Sequence, residues 1–203
     1  MRNAYASMND EQLMQLVCAG NHDAFAGIVK RHTQRFFSLA FRSLHNSDDA
    51  HDVVQTAFIK LWQNPGSWNA AKSSFTTWFY RVILNACHDH RRKHHRWTVL
   101  DDQKFESALP PVLSEEHILE SNQYAKQQQF YLEYAVSQLP SSQRDALNLV
   151  VYSSLPQKQA AEVLGVSLKA IESLLVRAKR SLRNTIQQLQ AQEQTATVLE
   201  NKR

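Results

Sequence analysis

Glycine and proline are scarce in this sequence, four and five residues of 203. An all-β or α/β fold needs more turn chemistry than that, and alternating apolar/polar runs are scarce too, so helical spacing dominates. Cysteine is nearly absent. Cys18 and Cys87 stand far apart with no CxxC, which argues against a disulfide framework. No apolar run approaches about 18 residues and the N-terminus lacks a signal-peptide core, so a soluble, cytoplasmic chain with no membrane contact is expected. A glycine-rich phosphate loop, a nucleophile constellation and a metal-ligand set are missing as well, so no enzyme, catalytic residue, metal or cofactor is expected. What remains is an all-α fold, two helical domains joined by a flexible linker.

Charge of one sign is not abundant either, with 23 Lys and Arg against 19 Asp and Glu. Its placement is more telling. Residues 88–97 hold Arg91, Arg92, Lys93 and Arg96 against Asp89, and residues 168–183 hold Lys169, Arg177, Lys179, Arg180 and Arg183 against Glu172. Residues 99–122 run the other way, with six acids against Lys104. Two basic patches around an acidic stretch suggest two contacts with a polyanion, although either patch alone reads better as a solvated helix face.

Asp10 to Ala19 is expected to form a short helix ended by Gly20-Asn21, followed by a longer one over about 22–44. HNSDD (45–49) breaks it, and Ser47 or Asp48 can cap a third helix running to Trp62. Its apolar residues fall at 50, 53, 54, 57, 58, 61 and 62. After the loop NPGSWNAAKSS (64–74) a second series follows at 75, 78, 79, 82, 83, 86 and 87. The two match step for step, which argues for two helices packed in one bundle. From about Thr98 to Gln123 the pattern fades into a linker, with a short helix around 115–134. Periodicity returns at Tyr131, Tyr134, Ala135 and Leu139, and helices are expected near 142–152, 156–164 and 168–190 before a polar, fraying tail.

CHDHRRKHHRW (87–97) packs four histidines and four cations beside a cysteine. Cys87 lies on the apolar stripe and reads as a small buried residue. His88 and His90 sit about 100° and 300° around the helix from it, and three tandem cations precede His94 and His95, so a zinc site is not expected. The exposed face of this helix is expected to carry Thr77, Tyr80, Arg81, Asn85, His88 and Arg92. Cations suit phosphates, and Tyr, Trp and Asn suit unstacked bases. A protein that opens a duplex needs such a surface, because separated bases must be stacked on or captured.

LPQKQAAEVLGVSLKAIESLLVRAKRSLR (155–183) has the features of a helix-turn-helix. Ala160 and Ala161 are small where the helices cross, Gly165 suits a turn with φ > 0, Ser167 can cap the second helix, and Val166, Ile171 and Leu174 can pin the pair. A helical hairpin that binds no DNA can share these features. On the second helix Ile171, Leu174, Leu175, Ala178 and Leu182 share one side. Lys169, Ser173 and Arg180 lie opposite, flanked by Glu172 and Arg177, and that face is expected to enter a major groove.

On these segments the sequence resembles a bacterial RNA polymerase sigma factor of the extracytoplasmic function group, in the sigma-70 family. DDAHDVVQTAFIKLW (48–62) resembles the family's polymerase-binding helix, SSFTTWFYRVILNACHDHRRK (73–93) its −10 recognition and melting segment, and residues 139–183 its −35 reading domain. The resemblance implies a factor that binds core RNA polymerase, directs it to −35 and −10 elements and melts DNA. It implies an N-terminal extension (1–21), a domain for core binding and the −10 element (22–97), an acidic linker (98–129), a −35 domain (130–190) and a tail (191–203).

The family's roles then fall on particular residues. Asp49, Asp52 and Gln55, with Leu61 and Trp62 beside them, would face the clamp helices of the largest polymerase subunit, and the flap is a further contact. The loop with Trp68, Asn69, Lys72 and Ser73 would receive a flipped −10 base. Tyr80, Arg81, Asn85 and His88 would meet the melted strand, and Arg91, Arg92, Lys93 and Arg96 the DNA backbone. Ser167, Lys169, Glu172, Ser173, Arg177 and Arg180 would form the −35 reader. Glu172 and Leu174 depart from the family's commoner Lys or Arg, so base contacts are not carried over there. An anti-sigma protein is the family's usual restraint. The rival reading is a helix-turn-helix regulator with an N-terminal ligand or dimerisation domain, a dimer on a palindrome, but a ligand domain needs no basic aromatic helix at 75–93.

Overall fold

The structure, a computed structural model, describes Tyr5 and residues 7–100 and 123–200, except for the side chains of 95–100, 123–126 and 193–200. The linker expectations and the side chain of Arg96 thus lie outside the described residues. No strand occurs among them. A first set of helices comprises α1 (Asp10–Cys18), α2 (His22–Leu44), α3 (Ser47–Gln63) and α4 (Phe75–Leu100). A second comprises α5 (Gln123–Ser137), α6 (Ser141–Leu147), α7 (Gln157–Leu164) and α8 (Leu168–Glu200).

Asparagine starts each of the first three helices. Asn9 and Gln12 form a reciprocal capping box, and the Asn21 amide oxygen accepts from Ala24 N at 2.9 Å. Asn46 caps α3, accepting from Asp49 N at 3.0 Å, where Ser47 or Asp48 was expected. Its extended backbone (φ −138°, ψ 128°) sets the amide over the first turn, while Ser47 is already helical.

The two matched apolar series meet as expected. Val53, Val54, Ala57, Phe58 and Leu61 of α3 are buried with Phe75, Phe79, Ile83 and Cys87 of α4. Phe79 lies at the centre, with ring centroids 4.8 Å from Phe36 and 5.0 Å from Phe58. Each such phenylalanine contributes about 1.5–3 kcal/mol by burial. The N-terminal helix is tied to α2 by Asp10, whose carboxylate accepts from Arg31 at 2.7 Å and from His32 Nε2 at 2.8 Å.

Two segments differ from the sequence reading, and one feature lies beyond it. The helix expected over 142–152 ends at Leu147, and a π-helical turn, Asn148–Tyr152, completes it. Helix α8 continues to Glu200, past the expected fraying point, because neither glycine nor proline follows Gly165. Most importantly, the two sets pack together. Ala146, Leu149, Leu155, Ala160, Val163 and Ile171 of the second set share one buried cluster with the core of the first.

Candidate nucleic-acid interface

The 68–74 loop is built around Trp68. Its indole Nε1–H donates to Ser73 O at 3.1 Å, its ring meets Phe75 edge-on at 6.0 Å, and it is only 9% exposed. Asn69 folds the tip by accepting from Ala71 N at 2.9 Å. Asn69 and Lys72 are exposed and Ser73 is half-buried. Trp68 therefore anchors the loop, and no face of its ring is free to receive a base.

Helix α4 carries Arg81 and Asn85 on an exposed stripe, with His88 half-buried beside them. Thr77 and Tyr80, expected on that stripe, are buried; Tyr80 is 2% exposed. The Tyr80 ring stands edge-on to Phe36 at 5.2 Å, and its hydroxyl lies beside Ser153 of the second set. Burial raises the Tyr80 pKa. Further along, Arg92 pairs with Asp89 at 2.6 Å, Lys93 is exposed, and Arg91 is half-buried. Cys87 is fully buried, as expected, and burial pushes its thiol up to about 12. His90 lies 3.4 Å from Asp49 on α3. No group of three or more His, Cys, Asp or Glu placed to hold a metal occurs among the described residues.

The helix-turn-helix has the expected joints. Ala160 and Ala161 are buried, Gly165 takes φ +66°, and Ser167 Oγ accepts from Ala170 N at 3.2 Å. Ile171 and Leu175 pin the helices. Val166 does not; it is 40% exposed, because the left-handed turn at Gly165 carries it outward. Lys169, Glu172, Ser173, Arg177 and Arg180 are all exposed along α8. The Ser173 hydroxyl turns back to donate to Lys169 O at 2.9 Å.

On α3, Asp52 and Gln55 are exposed and Asp49 is half-buried. Leu61 is 1% exposed and lies inside the core, so it supports this surface from beneath and touches no partner. Trp62 is half-buried, 5.0 Å from the Phe25 ring.

Residues 28–98 match Sigma-70 region 2 and residues 129–182 match Sigma-70, region 4. Together the two matches cover most of the chain, in the family's order. The chain is a sigma-70 factor of the extracytoplasmic function group. It is 27% identical over 188 residues to the RNA polymerase sigma-H factor of Pseudomonas aeruginosa, covering 89% of this chain and 95% of that one. It is 27% identical over 190 residues to the sigma-E factor of Escherichia coli, covering 90% and 96%. Among solved structures it is similar to CnrH in complex with the cytosolic domain of CnrY, with a TM-score of 0.63, 22% identity and coverage of 88% and 97%. This sigma factor binds core RNA polymerase and directs it to promoters to start transcription; it is not an enzyme. No helix among its described residues is long and apolar enough to cross a membrane.

Sequence reasoning missed how the sigma factor's two helix sets meet. Arg81 Nε donates to Val163 O at 3.0 Å and Arg81 Nη2 donates to Glu162 O. His88 Nε2 donates to Asp145 Oδ2 at 2.7 Å. Arg42 lies over the Tyr152 ring at 5.1 Å. The pKa of His45, half-buried nearby, is pushed down to about 4, by desolvation first and then by the charges of Arg144 and Arg91. The one available signal was Asp145, a carboxylate directly before the apolar pair Ala146-Leu147.

Proposed function

We propose that the exposed face of α3, through Asp49, Asp52 and Gln55, docks on the clamp helices of the polymerase largest subunit, and that the second helix set meets the flap. Arg81, Asn85 and His88 take the melted −10 strand, the 68–74 loop offers Asn69 and Lys72 to a flipped base, and Arg91, Arg92 and Lys93 follow the backbone. Lys169, Arg177 and Arg180 anchor α8 at the −35 element, with Glu172 at the groove edge. The functional divisions are 22–97 and 130–190, joined by 98–129. The protein works in the cytoplasm, and an anti-sigma protein restrains it. Relatives in fold support that last point, since one is RpoE of Bartonella quintana in complex with the anti-sigma factor NepR.

The observation that carries this reading is the polar stripe of α4, exposed at Arg81 and Asn85 beside a helix whose opposite side is core. Base capture contributes on the order of 1–3 kcal/mol per base. Reconstituted transcription with core polymerase tests it. Asn85→Ala is expected to impair opening of duplex promoters far more than use of pre-melted ones, and equal defects on both would remove Asn85 from the melting step. Asp52→Arg with Gln55→Ala is expected to weaken co-purification with core enzyme; unchanged recovery refutes the α3 assignment.

A further inference from the structure

The polar face of α8 carries one residue unlike its neighbours. Val176 is 67% exposed, the highest value for a large apolar side chain among the described residues. It belongs to neither buried cluster and does not pack against either. At about 100° per residue it stands about 160° around the helix from Ala178, which is fully buried. It lies about 20° from Lys169 and about 40° from Glu172 and Arg180, within the stripe assigned above to the −35 element. The core has no use for this side chain, and the stripe around it is otherwise polar.

The neighbours narrow what Val176 can do. The Ser173 hydroxyl donates to Lys169 O at 2.9 Å, so its proton is already used within the helix. Lys169, Arg177 and Arg180 are exposed cations suited to phosphate, and phosphate contacts position a protein without reading sequence. On this stripe Glu172 and Val176 are left to read bases, one helical turn, about 6 Å, apart. The major groove separates their tasks. Its base edges offer hydrogen-bond donors and acceptors and a single kind of apolar group, the C5-methyl of thymine. An aliphatic side chain set against a purine edge takes water from N7 and returns no hydrogen bond. Set against the thymine methyl, it buries apolar surface on both partners. Valine suits that contact, because its branched Cβ holds χ1 in one rotamer on a helix. Both methyls are in place before DNA arrives, and little side-chain freedom is lost on binding.

We propose that Val176 is a specificity-determining residue of the −35 contact and selects a thymine through its C5-methyl group. At ~3.4 Å per base pair, the spacing along α8 puts that thymine within about two base pairs of the one that Glu172 faces. The inference rests on the α8 assignment made above and adds the identity of a base to it. Burial of one methyl group corresponds to about a fourfold gain in affinity. A purine at the same place binds more weakly still, because one of its acceptors goes unpaired.

The test uses holoenzyme and compares wild type with Val176→Ala. That change removes both methyls at an exposed site and puts in a stronger helix former, so the helix is kept. A promoter library first locates the −35 position at which wild type selects thymine and Val176→Ala does not. Duplexes of that −35 element are then made with thymine at this position, or with uracil, which lacks only the methyl. Wild type is expected to bind the uracil duplex about fourfold more weakly than the thymine duplex, and Val176→Ala to bind the two alike. A second pair of duplexes carries cytosine or 5-methylcytosine there, and wild type alone is expected to gain from the added methyl. The slope of log affinity against log salt is expected to be the same in both proteins, because a methyl contact neutralises no phosphate. Equal uracil penalties in the two proteins overturn the assignment, and so does a library in which no −35 position separates them. A failed α8 assignment looks different: changing Lys169, Arg177 and Arg180 to alanine then leaves the salt slope of wild type unchanged. A changed slope together with equal uracil penalties refutes the role of Val176 alone.

Discussion

Trp68 decides between two roles for the 68–74 loop. A base platform needs a free ring face, whereas the structure gives this ring an edge-on contact with Phe75 at 6.0 Å and a hydrogen bond to Ser73 O at 3.1 Å. Replacing a buried tryptophan with alanine costs about 3–5 kcal/mol. In a chain of this size each kcal/mol lowers Tm by about 2–4 °C, so Trp68→Ala is expected to melt roughly 6–20 °C below wild type. Trp68→Phe keeps an aromatic ring against Phe75 and loses the indole bond, about 0.5–1.5 kcal/mol, or roughly 1–6 °C. Differential scanning calorimetry on the free chain gives both shifts, and open-complex formation gives the functional consequence. If Trp68→Ala melts within a degree or two of wild type yet fails to open promoters, the ring is a base platform and the anchoring argument is wrong.

Changing Lys169, Arg177 and Arg180 together to alanine is expected to flatten the slope of log affinity against log salt by about 0.9 for each phosphate no longer neutralised, read on holoenzyme with −35 duplex; an unchanged slope means that α8 does not touch DNA there. Glu172 is exposed and no ion pair joins it to Lys169, so its carboxylate is open to a cytosine N4 donor. Glu172→Ala is expected to relax preference at one −35 base pair by about 1–3 kcal/mol in a promoter library, and identical preferences would make it a plain surface residue. At Asp10 burial alone would raise the pKa, but hydrogen bonds and charge from His32 and Arg31 outweigh it and hold the carboxyl below its ordinary 3.8. A depressed folded value means stability present above about pH 4 and lost as pH falls through the folded value. Asp10→Asn is therefore expected to flatten the acid limb of the stability curve below about pH 4; an identical acid limb rules out the tie between α1 and α2.

The first helix set was legible because its periodicity and its burial have the same cause. Val53, Val54, Ala57, Phe58 and Leu61 repeat at helical spacing and are all buried. The same rule corrects the reading of Leu61. A residue on the apolar stripe belongs to the core first, and it cannot also be a polymerase contact. Asn46 shows the limit at helix starts: four residues in HNSDD could cap α3, and backbone geometry alone selects among them. The turn at Gly165 was legible through φ, but Val166 was not, because the same φ that makes the turn carries the next side chain outward.

The larger misreadings fall on one surface. Thr77 lies off the apolar stripe of α4, so spacing within that helix makes it exposed, but Tyr80 falls only about 20° beyond Cys87 at the stripe's edge and meets Phe36 of its own set. Tyr80 is packed edge-on against Phe36 of α2, and it and Thr77 face residues 153–156 of the second set across a shared cleft. Asp145 is the mirror case, a carboxylate whose hydrogen-bond donor, His88, lies 57 residues away in sequence. Single-helix periodicity reports the surface that a helix offers when nothing covers it. For α4 that surface is cationic and amide-rich, a poor interior and a good face for separated DNA strands. A seam made permanent would favour apolar residues at 81, 85 and 88, yet the chain carries Arg81, Asn85 and His88 there.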